Sequence, residues 1–417
     1  MSLSDEGHSD ADPSALEISS ALSLILAALP QLTKTELLPL SEAFGRVIST
    51  DIHSPTAIPA FRNSAMDGFA IRFSERNDAL RIEASSLAGH ASGDQLSPGC
   101  CQIITTGARV PDDADTVVQL ENVSREGDMI TIAVMPDKGL HVRAIGSDSA
   151  PGQLLLQTGT RLRAAEVAIL AAHGLQTVTV LRQLLIGVFS TGDELVNASE
   201  KPGRDQIHDA NRPLLIALFN DPAMQLVDLG ICPDSPTALN KLLDDASTPN
   251  VLISSGGVSV GEADHVRQVL EQRGQLTLWK IAMKPGRPLA FGLLHNGQVW
   301  FGLPGNPVSA ALTSLIFVQP ALRKMLGLAE SRLPTVTAIV DSKLEKRAGR
   351  VEYQRGVLSQ DDKGVWHVST TGDQDSHVLT SLSKADCLIE LALNSRGVKP
   401  GEQVVVHPFC HFAESTL

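Results

Sequence analysis

The chemistry most visible in this 417-residue sequence sits in four short turns, each following an apolar run. LLIGVFS leads into Thr191-Gly192-Asp193-Glu194, and QLVDLGI, by way of Cys232-Pro233, into Asp234-Ser235-Pro236. NVLI leads into SSGGVSVGEAD, Ser254 to Asp264, and QVWFGL into Pro304-Gly305-Asn306-Pro307. Glycine lets a backbone approach an anion closely, and N–H groups at a helix N-terminus hold anionic oxygens. Any one such turn is as well explained as a helix start, because Gly, Ser and Asp cap helices. Four of them converging on one sheet edge favour an anion cleft. Its expected contacts are Ser255, Gly256, Gly257, Ser259, Gly305 and Asn306.

Charged residues accompany these turns. Glu194, Asp234 and Asp264 follow three successive strands, so neighbouring strands would bring three carboxylates within reach of one ion. Hard oxygen donors suit Mg²⁺, which binds through few carboxylates plus waters and phosphate oxygens. The competing account makes each acid a first-turn residue that complements a helix dipole, and Glu262 fits that account better than Asp264. In WKIAMKPGRPLAFG, Lys280 lies between Trp279 and Ile281, and Pro285-Gly286 turns the chain directly after Lys284. An unpaired buried ammonium is costly, so Lys280 is expected in a buried ion pair or in oxyanion recognition. Further upstream, FRNSAMDGFA sets Asn63, Ser64 and Asp67 around a turn ending at Gly68. IITTGARVPDDAD offers Thr105, Thr106 and Gly107, and HVRAIGSD offers Arg143 and Asp148. Each of these three is equally an ordinary polar turn.

The elements that must position these groups fall into blocks. Residues 1–13 are acidic and polar, unlike a signal or transit peptide, and are expected to form a disordered tail. Ser14 with Glu17 resembles a capping box before an apolar helix that stops at Pro30, and SEAFG, Ser41 to Gly45, suits a second short helix. Residues 14–54 and 145–182 are expected to make one discontinuous helical and mixed domain. It would be interrupted at 55–144 by a module of short alternating strands. A helix at Ala164 to His173 is expected to stop at Gly174. Residues 183–330 alternate strands and helices, the helices being expected at Arg212–Asn220, Pro236–Ala246 and Glu262–Arg273. That pattern predicts a largely parallel sheet with helices on both faces, whose ligands bind outside the strand carboxyl ends. Residues 331–417 turn all-β and predict a small barrel or sandwich.

A net charge of -13 argues against a nucleic-acid partner, and no apolar run approaches a membrane span. Cys100, Cys101, Cys232, Cys387 and Cys410 are odd in number and form no CxxC, which points to a reducing cytoplasm rather than a disulfide framework. HExxH and a Walker A loop are missing, so zinc-hydrolase and P-loop chemistry lack their parts. His173 and His208 suit a helix end and a surface site, and Trp279 and Trp300 suit the core.

In order along the chain, FRNSAMDGFA, IITTGA, GSDSAPG, FSTGDEL, SSGGVSVGEADH, KPGRPLAFG, GLPGNPVSA, YQRGVL and TTGDQDSH together resemble the molybdopterin molybdenumtransferases. This is the MoeA family, related to the C-terminal domain of gephyrin. Single-domain proteins that adenylylate molybdopterin share only the α/β part. The resemblance implies an elongated homodimer that takes adenylylated molybdopterin and molybdate, inserts molybdenum at the dithiolene and releases AMP with Mg²⁺ assisting. It implies functional roles for Asp67, Thr106, Asp148, Glu194, Asp234, Asp264, Lys280, Lys284, Pro304, Pro307, Arg355 and Ser376. Arg355 and Ser376 are then the expected donors to molybdate, and Asp67 and Thr106 are expected to arrive from the partner subunit. Contacts with other proteins of molybdenum cofactor biosynthesis are also implied. Departures from the family pattern fall at Ile145 and Ser147, where it often has a basic residue and an acid, and at Ser235, where a second acid can occur. The alternatives within this resemblance are a tungstate-inserting paralogue and a non-catalytic, gephyrin-like scaffold.

Overall fold

The computed structural model describes residues 12–90, 93–246, 248–257, 264–328 and 334–409, with backbone alone over 264–268. The chain divides into two compact units. One is Met1–Ser49, Thr158–Ala165 and Thr177–Leu417; the other is Thr50–Gln157 and Glu166–Gln176.

The centre of the first unit is a six-stranded sheet of β1 (Leu184–Thr191), β2 (Met224–Cys232), β3 (Val251–Ser255), β4 (Gly274–Lys280), β5 (Pro288–Leu294) and β6 (Val299–Leu303). Its spatial order is β2-β1-β3-β6-β5-β4. Strands β2, β1, β3 and β6 run parallel, while β5 pairs antiparallel with both β6 and β4. The helices are α1 (Asn211–Leu218), α2 (Pro236–Asp245), α3 (Asp264–Arg273) and α4 (Pro307–Thr313), the last continuing through Ser314–Val318 into Gln319–Met325.

Both faces of this sheet are covered, and the period of two along each strand shows how. Ile186, Val188, Val251, Ile253, Val299 and Phe301 join Leu215 of α1 and Val308 of α4 in one apolar cluster. The intervening Phe189, Leu252 and Trp300 join Leu239 and Leu243 of α2 and Val269 and Leu270 of α3 in another. Near-continuous apolar runs are what a strand buried on two faces requires. Each fully buried side chain of this size contributes about 1.5–3 kcal/mol. Trp300 is buried in the second cluster, while the partly buried Trp279 packs against the first and stacks on Phe291 with centroids 6.0 Å apart.

Around this core, strand Thr35–Pro39 pairs antiparallel with Thr177–Leu181. The helix after the acidic tail is Ile18–Ala28, and Glu17 precedes it without a side-chain cap. The Ser14–Glu17 capping box is therefore not formed: the Ser14 N–H and hydroxyl both donate to Asp12 Oδ1, at 2.9 and 2.6 Å. The SEAFG helix reduces to a single 3-10 turn at Leu40–Glu42. Toward the C-terminus, Val336–Val340, Val351–Gln360, Trp366–Thr370, Cys387–Leu391 and Gln403–Pro408 close into a barrel. The ring closes because Val351–Gln360 pairs with both Trp366–Thr370 and Cys387–Leu391. Closure leaves these strands without a free edge.

The second unit holds another six-stranded sheet, ordered Thr116–Gln119, Gly68–Ile71, Cys100–Ile104, Leu80–Ser86, Met129–Ile132 and Val123–Glu126. Its helical residues end at Ala172, and Gly174 takes φ +73° at the stop. His173, just past that end, is buried with Nε2 3.1 Å from the Ser149 hydroxyl, whereas His208 is exposed. Among the described residues no helix is long and apolar enough to cross a membrane.

Candidate active site

The parallel strands leave their carboxyl ends along one edge of the central sheet. The chain passes from β1 to β2 on one side and then to β3 on the other, so the switch point lies between β1 and β3. A cavity of about 580 Å³ opens there, within the first unit. It is lined by Thr191, Gly192 and Glu194 after β1, Asp234 after β2, Gly256 and Gly257 after β3, and Pro304, Gly305 and Asn306 after β6. The turn before β5 adds Lys284 to Pro288, and Arg350, Gln374, Asp375 and Ser376 complete the wall.

Strand order sets the polarity of this edge. From β2 inward the groups are Asp234, Glu194, the Gly256-Gly257 turn, the Pro304-Gly305 turn and then Arg287. Along the sheet edge itself, acids thus lie at one end, a cation at the other and glycine turns between, while Asp375 and Arg350 come from the wall outside the sheet. The two acid turns are tied together, since the Asp234 N–H donates to Asp193 Oδ1 at 3.1 Å. Glu194 does not start a helix: Leu195–Val196 continues as a short strand beside Ile207–His208, so the helix-dipole account does not apply to it. The cap of α2 is Ser235, whose hydroxyl accepts the Ala238 N–H at 3.1 Å, leaving Asp234 outside the cap.

Two glycines here are required by space. Gly256 has φ +91°, and a Cβ there would stand 2.4 Å from the Thr191 carbonyl oxygen. Gly286 has φ +101°, and a Cβ would stand 2.6 Å from Thr313 Oγ1. The Gly256 N–H is occupied by the Leu303 carbonyl at 3.1 Å, so this donor fastens β3 to β6 instead of facing an anion. Ser255 is likewise buried beneath the cleft, donating to the Pro304 carbonyl at 3.2 Å.

The lysines differ from expectation. Lys280 is half exposed and pairs with Asp12 at 3.8 Å, so it is neither buried nor part of the cleft lining. The reason is the strand's alternation: Lys280 points to the open face while Ile281, one residue on, is buried. Lys284 lines the cleft and is held 3.4 Å from Glu352, itself buried. Arg287, which also lines it, is paired with Asp12.

Arg355 is a correction. Expected as a donor to substrate, its side chain is completely buried and absent from the cleft lining. Nε donates to Ser381 Oγ at 2.9 Å, Nη1 to the Gln374 carbonyl at 2.9 Å, and Nη2 to the Asp373 and Asp375 carbonyls at 3.1 Å each. It therefore shapes the loop that carries Ser376. The Ser376 hydroxyl accepts from Asn306 Nδ2 at 2.7 Å, which closes the loop onto the Pro304–Pro307 turn. Pro307 opens α4 beside this contact.

Among the described residues no three His, Cys, Asp or Glu side chains assemble into a metal site. Glu194 and Asp234 both reach the cleft, while Ser259, Glu262 and the Asp264 side chain lie outside the described residues; Asp264 opens α3. In the second unit, Asp67 accepts the Thr106 N–H at 2.7 Å and its hydroxyl at 2.9 Å. These two bonds, the backbone one foremost, hold the Asp67 carboxyl below the usual carboxylate range. Asp148 is exposed, with its N–H on the Ile58 carbonyl at 3.0 Å, and Ile145 and Ser147 are exposed beside it. Sequence reasoning missed Arg287, Arg350 and Asp375. A signal was present for Arg287, which sits two residues after the Lys284-Pro285 turn it shares.

These features define a multidomain α/β protein with a polar cleft, lined by acids, glycine turns and cations, at the switch point of its central sheet. Three family models match in chain order: the MoeA N-terminal region (domain I and II) over residues 16–174, the probable molybdopterin binding domain over 187–324, and the MoeA C-terminal region (domain IV) over 337–409. The molybdopterin molybdenumtransferase of Haemophilus influenzae is 39% identical over 402 residues, covering 95% of this chain and 99% of that one. Gephyrin of Dictyostelium discoideum is 31% identical, covering 93% of this chain and 61% of its own length. The crystal structure of the molybdopterin biosynthesis moeA protein from Pyrococcus horikoshii aligns with a TM-score of 0.80 at 28% identity, covering 94% of this chain and 100% of that one. The chain belongs to the MoeA family of molybdopterin molybdenumtransferases, enzymes of molybdenum cofactor biosynthesis.

Proposed function

We propose that the chain transfers molybdenum from molybdate to adenylylated molybdopterin and releases AMP. The observation that carries this reading is the polarity of the cleft: carboxylates, glycine turns and cations follow one another along a single sheet edge. Cleaving a phosphoanhydride requires charge stabilisation at phosphate and positioning of the attacking group. Gly257 and Gly305 border the expected path of the phosphates, and Lys284, Arg287 and Arg350 supply positive charge for phosphate and for the molybdate dianion. Ser376, held by Asn306, presents a hydroxyl on the same wall.

Glu194 and Asp234 suit Mg²⁺, a hard ion that takes one or two carboxylates and fills its remaining positions with water and phosphate oxygens. Asp264 is the third acid in this proposal. When bound, the ion would neutralise charge developing on the leaving phosphate. The chain is further proposed to act as a homodimer in the cytoplasm, with Asp67 and Thr106 completing the partner's cleft and Asp148 a functional residue of the same reaction. The four described cysteines, all buried and unpaired, support a reducing compartment.

The test is single-turnover AMP release from adenylylated molybdopterin, triggered by molybdate or by tungstate. Molybdate-triggered release that falls in both Asp67→Ala and Asp264→Ala is expected. Normal release in both variants refutes the site assignment, and release triggered by tungstate alone makes the chain a tungstate-inserting paralogue. Capture of a peptide partner without any release favours a scaffold.

A further inference from the structure

We propose that Asn211 is a positioning residue for this reaction, setting the spacing between the two glycine turns that border the phosphate path. The inference rests on the function proposed above. Asn211 opens α1 within HDANRP and is 9% exposed, and it does not line the cleft. Its amide has two hydrogens. One goes to Ser255 Oγ at 2.7 Å and the other to the Gly305 carbonyl at 2.6 Å. Ser255 in turn gives its own hydrogen to the Pro304 carbonyl. With two oxygens in front of it, the amide has only one satisfactory orientation. A single side chain thus bridges the turn after β3 and the turn after β6, joining the two segments from below.

The bracket is itself anchored. Asp209, almost completely buried, accepts the Asn211 N–H at 3.1 Å, the Arg212 N–H at 3.2 Å and the Ser190 hydroxyl at 3.0 Å on one oxygen. Its other oxygen accepts Arg212 Nε at 3.0 Å, and Arg212 reaches the Asp228 carboxylate. Ser190 belongs to β1, Asp228 to β2, Ser255 to β3, and Gly305 follows β6. One network therefore ties all four parallel strands, at the carboxyl ends of β1, β3 and β6 and at mid-strand in β2. Asn211 is the member that spans the glycine turns. Displacement of a reacting group by about 1 Å costs up to about a hundredfold in rate, so this spacing bears on turnover although Asn211 touches no substrate.

The test uses the full-length enzyme with adenylylated molybdopterin and molybdate. Asn211→Ala is expected to lower kcat for AMP release by about tenfold to a hundredfold, in keeping with a small displacement of the turns. Ser255→Ala is expected to lose less, and the double variant to lose no more than Asn211→Ala alone, because both act on one bracket. Asn211→Asp has the same size but sets a carboxylate against two oxygen acceptors. Its activity relative to wild type is expected to rise as pH falls, since a protonated carboxyl regains one donor and burial raises its pKa. Additive losses, or an Asn211→Asp ratio flat with pH, overturn the proposal, and Ser255→Ala and Asn211→Asp decide it if Asn211→Ala does not fold. Molybdopterin binding, followed by fluorescence quenching, separates the two ideas. Weakened binding in the variants beside a wild type that releases no AMP keeps the bracket and sinks the phosphoanhydride reaction; unchanged binding with unchanged turnover sinks the bracket alone.

Discussion

Replacing Arg355 by lysine separates a substrate donor from a loop scaffold. The guanidinium donates to four acceptors, three of them successive carbonyls at 373–375. Lysine keeps the charge, but its three hydrogens sit on one atom and lack the fork. At best two acceptors remain served, leaving two buried oxygens unpaired. At about 1–3 kcal/mol for each unsatisfied buried group, the loss is about 2–6 kcal/mol. A shift of about 2–4 °C per kcal/mol, the range for domains of about 150–250 residues, then lowers the unfolding midpoint by about 4–24 °C. Because the same loop carries Ser376, kcat/KM for molybdate falls with it. Thermal unfolding by circular dichroism, paired with steady-state kinetics across molybdate concentrations, reads both effects. If Arg355→Lys keeps the wild-type midpoint and loses only molybdate affinity, the scaffold assignment is refuted and Arg355 is a direct donor after all.

Three further outcomes are expected. Thr106→Val deletes one of the two bonds to Asp67 while the backbone bond remains. The Asp67 carboxyl should therefore titrate higher than in wild type, yet still below an ordinary aspartate. The sign follows from the depression: the bond stabilises the fold at neutral pH, and the contribution disappears as pH falls through the lowered pKa. Carboxyl NMR titration checks this, and an unmoved pKa contradicts it. Glu194→Gln combined with Asp234→Asn should raise the Mg²⁺ concentration needed for half-maximal AMP release by at least about tenfold, since one or two carboxylates hold that ion; an unchanged Mg²⁺ requirement counts against these ligands. Asp12, held down to about 2 chiefly by its bonds from Ser14, stays charged at any working pH against Arg287 and Lys280. Asp12→Asn should accordingly lower KM for the anionic substrate at low salt. The difference should fade toward about 1 M salt, where screening acts over about 3 Å, and a salt-independent effect would speak against electrostatics.

What could be read from the sequence was whatever local pattern determines. Apolar runs bounded by Gly and Asp marked the strands of the central sheet, because strands buried on both faces leave little freedom of composition. The turns after β1, β2, β3 and β6 were legible for the same reason, and all four line the cleft. Long-range partners were not legible. Lys280 looked buried because its neighbours are apolar, but β4 presents it on the open face toward Asp12, 268 positions away in sequence. Arg355 was expected as a donor only through the resemblance, and nothing local shows that the loop at 373–376 folds back over it. Asn211 stands just before the helix expected at Arg212–Asn220 and carries no local signal of its own. Its importance depends on Ser255 and Gly305, 44 and 94 residues further along.

The same geometry reconciles a protein of net charge -13 with a polyanionic substrate. Total charge governs the field far from the surface, whereas a cleft with low-dielectric walls focuses the charges that line it. Three cations, Lys284, Arg287 and Arg350, and three acids, Glu194, Asp234 and Asp375, line this cleft, so its formal charge is balanced rather than negative. Balance alone would not orient a ligand. Sheet order does so by placing Asp234 and Glu194 beyond the glycine turns from Arg287. A phosphoanhydride laid along that edge has its most negative groups drawn toward the cation end, and it can approach the acid end only with a divalent ion between. On the proposed function, a dependence of turnover on Mg²⁺ and the orientation of the substrate would be two consequences of one strand order.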